Sequence, residues 1–195
     1  MKSSTIYLFR HGEIESKYQN KYIGHLNVSL SVNGIKQNKN IDNFIKKFKD
    51  YIIITSDLKR TYIGISQKFF KFRALREISF GQWEGLSWNR ITKNYRKESK
   101  LFLEDPENFT FPDGESYHIL KERVIKKFSE ILENRHDNIV FVVHAGVIRS
   151  IISHLFDTPL RTVFNFNFDY GKCTIIKRLG ETFYLESLNN SINPL

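Results

Sequence analysis

Three short apolar runs in this sequence end in basic or imidazole side chains, and this pattern constrains the fold more than any other. The runs at 5–9, 51–55 and 139–143 are followed, respectively, by Arg10-His11-Gly12, by Arg60 and by His144. Runs of this kind are typical of buried parallel strands. Because the carboxyl ends of parallel strands meet at one edge of an open α/β sheet, we expect these side chains to converge there.

The residue types at this edge indicate phosphate chemistry. Arginine presents a rigid fork of donors that matches a phosphate, and histidine offers a ring nitrogen that is nucleophilic near neutral pH. Gly12 lets the backbone turn sharply next to a ligand. No carboxylate cluster accompanies these residues. The pattern therefore predicts a phosphoryl-transfer pocket that uses neither a metal nor another cofactor.

The rest of the chain predicts one α/β domain over residues 1–195, a three-layer α/β/α sandwich with a mostly parallel central sheet. Strands are predicted at 4–9, 51–55, around 73–75, 139–143, 172–178 and 182–188, and helices at 33–48, 58–70, 115–135 and 146–156. An irregular or weakly helical segment around 77–118 is expected to form a lid-like insertion over the ligand edge of the sheet.

The net charge of +9 raises the question of a polyanionic partner. The lysines are dispersed among acids at helical spacing, and no RNA-binding or zinc-finger motif is present. We expect a solvated surface that steers an anionic small molecule toward the site, with no nucleic-acid partner. Binding of a polyanion is the alternative.

Other features bear on location. Cys173 is the only cysteine, which excludes an intrachain disulfide and a paired-cysteine metal site. No apolar run approaches the roughly 20 residues that span a bilayer, and residues 1–4 do not resemble the start of a signal peptide. The expectation is a cytoplasmic protein without a membrane partner, either a monomer or a homodimer.

Six segments together resemble the histidine phosphatase superfamily, the phosphoglycerate mutase-like enzymes. They are Thr5–Gly12, Tyr22–His25 with Leu30–Gly34, Ser56–Arg60, Arg76–Gly85, Phe111–Ser116 and Val143–Gly146. The resemblance implies a phosphoglycerate mutase-like fold and a phosphatase that works without metal.

The resemblance also implies roles for individual residues. His11 would attack phosphorus and form a phosphohistidine, and Glu77 would act as proton donor and acceptor. The side chains that would bind the phosphoryl group are Arg10, Arg60 and His144. Glu84 lies in the same block as Glu77 and competes for its role.

Further residues are candidates for contact with the substrate, and at some of these positions the chain departs from the family pattern. Gly24 and His25 are expected to border the pocket, although His25 could equally be an exposed loop imidazole. Lys17 stands where the family has a phosphate-contacting asparagine, so it either contacts phosphate or faces solvent. Ile14 and Gly64 replace family threonines.

The substrate is the most open question. The chain is short for a cofactor-dependent mutase, which favours hydrolysis. Segments 80–84, 112–116, 166–176 and 188–190 are similar to those of α-ribazole phosphatases of cobalamin assembly. The alternatives are a phosphatase or mutase acting on sugar phosphates, phosphoglycerate or an amino-acid phosphate, and a non-catalytic phosphate-ester or protein-binding module.

Overall fold

The computed structural model describes residues 3–133 and 136–192, which contain a six-stranded sheet. The strands are β1 (Ser3–Arg10), β2 (Ile52–Thr55), β3 (Phe70–Lys71), β4 (Asn138–Val143), β5 (Cys173–Leu179) and β6 (Thr182–Asn190). Their order is β3-β2-β4-β1-β5-β6, and the first four are mutually parallel whereas β5 and β6 are antiparallel. The carboxyl ends of β1, β2 and β4 therefore share one edge.

Helices cover both faces of the sheet. They are α1 (Val32–Ile45), α2 (Trp88–Asn94), α3 (Arg96–Glu104), α4 (Tyr117–Leu132), α5 (Ala145–Leu155) and α6 (Leu160–Val163). Helix α1 packs on one face, and α4 and α5 pack on the other. The predicted α/β/α sandwich is confirmed, with a mixed sheet whose site-forming half is parallel. Among the described residues, no helix is long and apolar enough to cross a membrane.

Strand β1 shows how the sequence produces these layers. Ile6 and Leu8 join the hydrophobic cluster beneath α4 and α5, whereas Tyr7 and Phe9 join the cluster beneath α1. This alternation follows from the two-residue period of a strand. Burying each such side chain stabilises the fold by about 1.5–3 kcal/mol, which fixes the strand that carries the site.

Two predicted elements are wrong. The helix expected over 58–70 is only a 3₁₀ turn at Lys59–Thr61 followed by irregular chain. Gly64 explains the difference, because it has a φ of +95° and lies close against the backbone of α1. The strand expected around 73–75 is a 3₁₀ turn, and the strand pairing occurs earlier, at Phe70–Lys71.

The lid-like segment is more ordered than predicted, since it contains a 3₁₀ turn at Gly81–Trp83 and then α2 and α3. Trp83 is fully buried at its centre. Aromatic rings surround it at centroid distances of 5.2 to 6.4 Å; they belong to Tyr22, Trp88, Tyr95, Phe102, Phe109 and Phe111. The hydrophobic cluster beneath α4 and α5 therefore continues into the lid through Trp83 and Phe111.

Candidate active site

The strand ends bring the predicted basic residues together. Arg10 is paired with Val143 in the β1–β4 register, and the next backbone N–H, that of His11, donates to the Val143 carbonyl at 3.0 Å. His144 follows Val143 directly. As a result, the His11 and His144 rings lie 5.1 Å apart between centroids.

The tautomer of His11 follows from its neighbours. Its Nδ1–H donates to the Gly12 carbonyl at 2.7 Å, so that Nε2 carries a lone pair, and this lone pair accepts the Arg60 Nε–H at 3.3 Å. Burial, together with the nearby charges of Arg60 and Arg10, holds the pKa of His11 well below 6.5. The ring is thus neutral at neutral pH and offers Nε2 as a nucleophile.

Arg60 is 98% buried, and hydrogen bonds to two backbone carbonyls orient its guanidinium. Its Nη1 and Nη2 groups donate to the Leu26 and Gly24 carbonyls, each at 2.7 Å. Burial lowers the pKa of Arg60 to about 10, which leaves it charged at neutral pH. Gly24 therefore contributes through its backbone oxygen.

Arg10 is held differently. Its Nη1 donates to the Phe168 carbonyl at 2.7 Å, and the guanidinium lies 3.7 Å from the centre of the Tyr170 ring. Its Nε–H is buried and has no partner within the described part of the chain. A buried, unpaired donor on a cation is a ready contact for an anion.

Asn38, on α1, connects the loop after His11 with the turn that carries Arg60. It is fully buried, accepts the Gly12 N–H at 2.8 Å and donates to the Arg60 carbonyl at 3.0 Å. A Cβ on Gly12 would lie 2.1 Å from the Gly34 carbonyl oxygen, so only glycine fits this approach. The relative position of His11 and Arg60 is therefore fixed by the hydrogen bonds of the Asn38 side chain to the backbone and by the close approach of Gly12 to Gly34.

Glu77 reaches the cavity from the first residue of the lid. Its carboxylate accepts the Gly146 N–H at the start of α5, at 3.1 and 3.2 Å, and the Ile78 N–H at 3.0 Å. Its carbonyl accepts from His25 Nε2 and Arg123 Nη2, both at 2.9 Å. His25, half-buried, thus contacts the backbone of Glu77.

Glu84, the rival acid, has another position. Its Oε1 accepts the His25 backbone N–H at 2.7 Å and the Phe80 N–H at 3.3 Å. It connects the lid, at Phe80, to the loop that carries His25, while Glu77 faces the cavity. The geometry therefore separates an acid that faces the cavity from an acid that holds the lid against a neighbouring loop.

A cavity of about 260 Å³ lies between these residues. Its lining includes Arg10, His11, Ile14, Tyr18, Gln19, Asn20, Lys21, Ile23, Gly24, Arg60, Glu77, Phe80, Ala145, Arg149 and Tyr170. Lys17 is not among these residues: its ammonium pairs with Glu15 at 2.9 Å, and its side chain is 65% exposed. Of the two possibilities for Lys17, the structure shows the surface position.

Several lining residues were missed by sequence reasoning. Arg149 follows Ala145 by one helical turn, and this spacing was a usable signal that it shares the cavity face of α5. Tyr170 and Lys21 come from loops and carry no such signal. Within the described ranges, no group of three or more His, Cys, Asp or Glu side chains could hold a metal ion.

The arrangement can bind a dianion between two arginines and present a neutral imidazole lone pair to it. The family model for the histidine phosphatase superfamily (branch 1) matches residues 6–191. The chain therefore belongs to the histidine phosphatase superfamily, whose members are phosphatases.

Individual relatives extend this result. The chain is 32% identical over 158 residues to rat 6-phosphofructo-2-kinase/fructose-2,6-bisphosphatase 3, a match covering 78% of this chain and 28% of that protein. It thus spans less than a third of that relative. Two solved structures share the fold: α-ribazole phosphatase from Shigella flexneri (TM-score 0.88, 23% identity, 98% and 99% of the chains), and a phosphoserine phosphatase mutant from Entamoeba histolytica (TM-score 0.82, 24% identity, 95% and 96%).

Proposed function

We propose that the protein is a metal-independent phosphomonoester hydrolase that works through a phosphohistidine on His11. The observation that carries this proposal is the His11 geometry. The ring is neutral, its Nδ1–H is bound to the Gly12 carbonyl, and its Nε2 lone pair holds only a long hydrogen bond of 3.3 Å from Arg60, which a bound phosphoryl group would replace. This is the state that a nitrogen nucleophile requires.

In the first step, the His11 Nε2 lone pair attacks phosphorus while the bond to the ester oxygen breaks. The leaving oxygen takes a proton from the carboxylic acid form of Glu77. Arg10 and Arg60 offset the charge on the three equatorial oxygens, and His144 donates a hydrogen bond to them; such stabilisation is the main source of catalysis in phosphoryl transfer.

In the second step, water attacks the phosphohistidine and gives its proton to the Glu77 carboxylate. The phosphorus–nitrogen bond breaks, which releases inorganic phosphate and restores the neutral His11. Glu77 is protonated again and ready for the next ester. Every proton and electron pair is thus accounted for without a metal ion.

The test is hydrolysis of p-nitrophenyl phosphate by the purified protein in excess EDTA. We expect activity that EDTA does not reduce, with His11→Ala as the matched inactive control. Activity that disappears in EDTA and returns with a divalent cation would refute the metal-independent mechanism. Absence of activity toward every ester tried would favour the binding-module alternative.

For the physiological substrate, α-ribazole 5′-phosphate of cobalamin assembly is the first compound to test. The support for it is the similarity of the segments at 80–84, 112–116, 166–176 and 188–190 to those enzymes. The leaving group would be a neutral nucleoside, and the partner a small molecule. Hydrolysis of this ester at a higher kcat/KM than other phosphomonoesters is the expected result.

A second candidate is a substrate with a further anionic group, such as a sugar bisphosphate or a phosphoglycerate. The cavity is lined by Arg149 and Lys21 as well as the two arginines next to His11. Neither makes an ion pair with a described carboxylate, and Arg149 Nε is buried without a partner in the described ranges. The four cationic side chains of the cavity are more than the binding of a single phosphate group requires.

Arg149→Met distinguishes the two candidates. If the substrate carries a second anion, this variant raises KM for a bisphosphate or phosphoglycerate much more than for p-nitrophenyl phosphate. If α-ribazole 5′-phosphate is the substrate, the two classes of ester are affected to the same extent. A panel that includes phosphoserine and 3-phosphoglycerate, with product analysis, also separates hydrolysis from mutase activity.

A further inference from the structure

His144 is fully buried, and its two ring nitrogens have different surroundings. Nε2 lies 2.8 Å from the Ser56 hydroxyl, in the residue directly after β2. Nδ1 is buried and has no hydrogen-bond partner within the described ranges. A neutral imidazole has one N–H, so the position of this hydrogen decides whether Nδ1 is a donor or a bare acceptor.

The hydrogen bonds around Ser56 restrict the choice. Its oxygen accepts the Leu58 N–H at 3.2 Å, and it lies 3.3 Å from the Thr61 hydroxyl. Thr61 has its own carbonyl acceptors, Leu58 at 2.9 Å and Ser56 at 3.1 Å, which take its single hydrogen. The Ser56 hydrogen therefore goes either to His144 Nε2 or to the Thr61 oxygen.

Both the distance and the surroundings favour His144. The Ser56 oxygen is 2.8 Å from His144 Nε2 and 3.3 Å from Thr61, and the shorter separation is the ordinary length of a good hydrogen bond. If the Ser56 hydrogen went to the Thr61 oxygen, His144 Nε2 would have to carry the ring hydrogen and donate it to Ser56. His144 Nδ1 would then be a buried lone pair without a donor. Next to an anion this lone pair would be repulsive, whereas an Nδ1–H would be attractive.

We propose that Ser56 is a positioning residue that donates its hydroxyl hydrogen to His144 Nε2 and thereby fixes an Nδ1–H, on the ring next to His11, as a donor for the phosphoryl group. This inference rests on the proposed function for the identity of the anion. His11 and His144 are then the same tautomer put to opposite uses. His11 donates its N–H to the Gly12 carbonyl and uses its lone pair, which accepts from Arg60 in the free protein, to attack phosphorus. His144 would use its lone pair to accept from Ser56 and its N–H to bind the phosphoryl group.

The titration of the ring is compatible with this arrangement. Burial and the charge of Arg60 hold the pKa of His144 well below 6.5, so the ring is neutral at neutral pH and its tautomer matters. A neutral donor can contact the phosphoryl oxygens without an imidazolium being buried beside Arg60 and Arg10.

The direct test is ¹⁵N NMR of the whole protein labelled at histidine, with the His144 signals assigned by their loss in His144→Asn. At pH 7 without substrate, we expect a protonated-type shift for Nδ1 and an unprotonated-type shift for Nε2. A protonated Nε2, or protonation of both nitrogens, would overturn the proposal. This readout does not depend on activity, so it remains informative if the proposed function fails.

Ser56→Ala provides the kinetic test, with Ser99→Ala as control because Ser99 is a buried serine of α3 whose hydroxyl donates to the Arg96 carbonyl within the same helix. We expect kcat to fall on the order of 10- to 100-fold in Ser56→Ala, the range seen when partners that orient ligating histidines are removed. The His144 tautomer should also change in this variant alone. An unchanged kcat, or an unchanged tautomer in folded Ser56→Ala, would refute the role of Ser56.

Discussion

The wall of the cavity and the lid are built on different physical principles. The wall is formed by Arg10 and His11 at the end of β1, and the fully buried His144 lies beside His11 at the end of the adjacent parallel strand β4, where backbone hydrogen bonds fix the register. The lid is held by aromatic packing around Trp83 and by the partly buried ion pair between Glu115 and Arg123, at 2.7 Å. The wall is polar and specified locally, whereas the lid is apolar and specified by contacts distant in the sequence.

This difference suggests a division of labour. Under the proposed function, the wall would bind any phosphoryl group, because its donors surround the nucleophile and not the leaving group. The lid supplies Glu77, whose backbone is fixed by His25 and Arg123. Phosphate chemistry would then be conferred by the wall, and proton transfer together with the choice of leaving group by the lid.

The comparison is tested most strongly at the two lid acids. Glu77→Gln keeps the backbone contacts but removes the proton donor, and we expect kcat for an ester with a poor leaving group to fall by about 10²- to 10⁴-fold. Glu84→Gln weakens the contacts to His25 and Phe80, so it should lower the melting temperature with little effect on kcat. A comparable loss of kcat in Glu84→Gln would contradict the separation of roles.

Phe111→Ala tests the aromatic packing of the lid. Phe111 is 99% buried and contacts Trp83 at 5.2 Å between ring centroids, so its truncation should lower the free energy of unfolding by about 3–5 kcal/mol. Phe70→Ala, on the edge strand with 44% of its residue surface exposed, should cost about 1 kcal/mol or less. Equal losses in denaturant titrations would mean that Phe111 does not contribute to the hydrophobic core.

The wall should make stability depend on pH. The folded-state pKa values of His11 and His144 are well below 6.5 because both rings are buried near Arg60. Below about pH 6.5 the unfolded chain therefore binds more protons than the folded one, and stability is lost as the pH falls. Each ring contributes a slope of about 1.4 kcal/mol per pH unit in this range.

Denaturant titrations between pH 7 and pH 5 measure this slope. His144→Gln removes one of the two rings, so it should flatten the dependence. Protein whose stability is constant over this range would show that these rings protonate as easily when folded as when unfolded. That result would contradict the buried, neutral state on which the nucleophile depends.

The smallest effect is expected at Lys17. Its ammonium pairs with Glu15 on the surface and does not line the cavity, so Lys17→Ala should change kcat/KM by less than about twofold. Lys21→Ala is the matched variant, because Lys21 lines the cavity. An equal or larger effect at Lys17 would mean that this loop rearranges to bring Lys17 to the substrate.

The difference between the wall and the lid also explains which parts of the structure could be predicted from the sequence. The strands that carry Arg10, His11 and His144 were recognised because a buried parallel strand is a local apolar run and its terminal residues face the sheet edge. Arg60 was placed correctly although the helix after it was not, since Gly64 against α1 is a tertiary contact.

The remaining residues depend on long-range packing. Asn38 looks like an ordinary polar helix residue, and its buried bonds to Gly12 and to the Arg60 carbonyl appear only in the fold. Tyr170 lies far from Arg10 in the sequence but stacks on it. The order in the lid arises from aromatic residues whose spacing has no regular period.

A rapid-quench experiment with a radiolabelled phosphomonoester tests directly whether His11 is the nucleophile. We predict an acid-labile, base-stable phosphoenzyme that forms within one turnover and maps to a peptide containing His11. The label should be absent in His11→Ala. A label on His144, or normal turnover in His11→Ala, would contradict the assignment of His11 as the nucleophile.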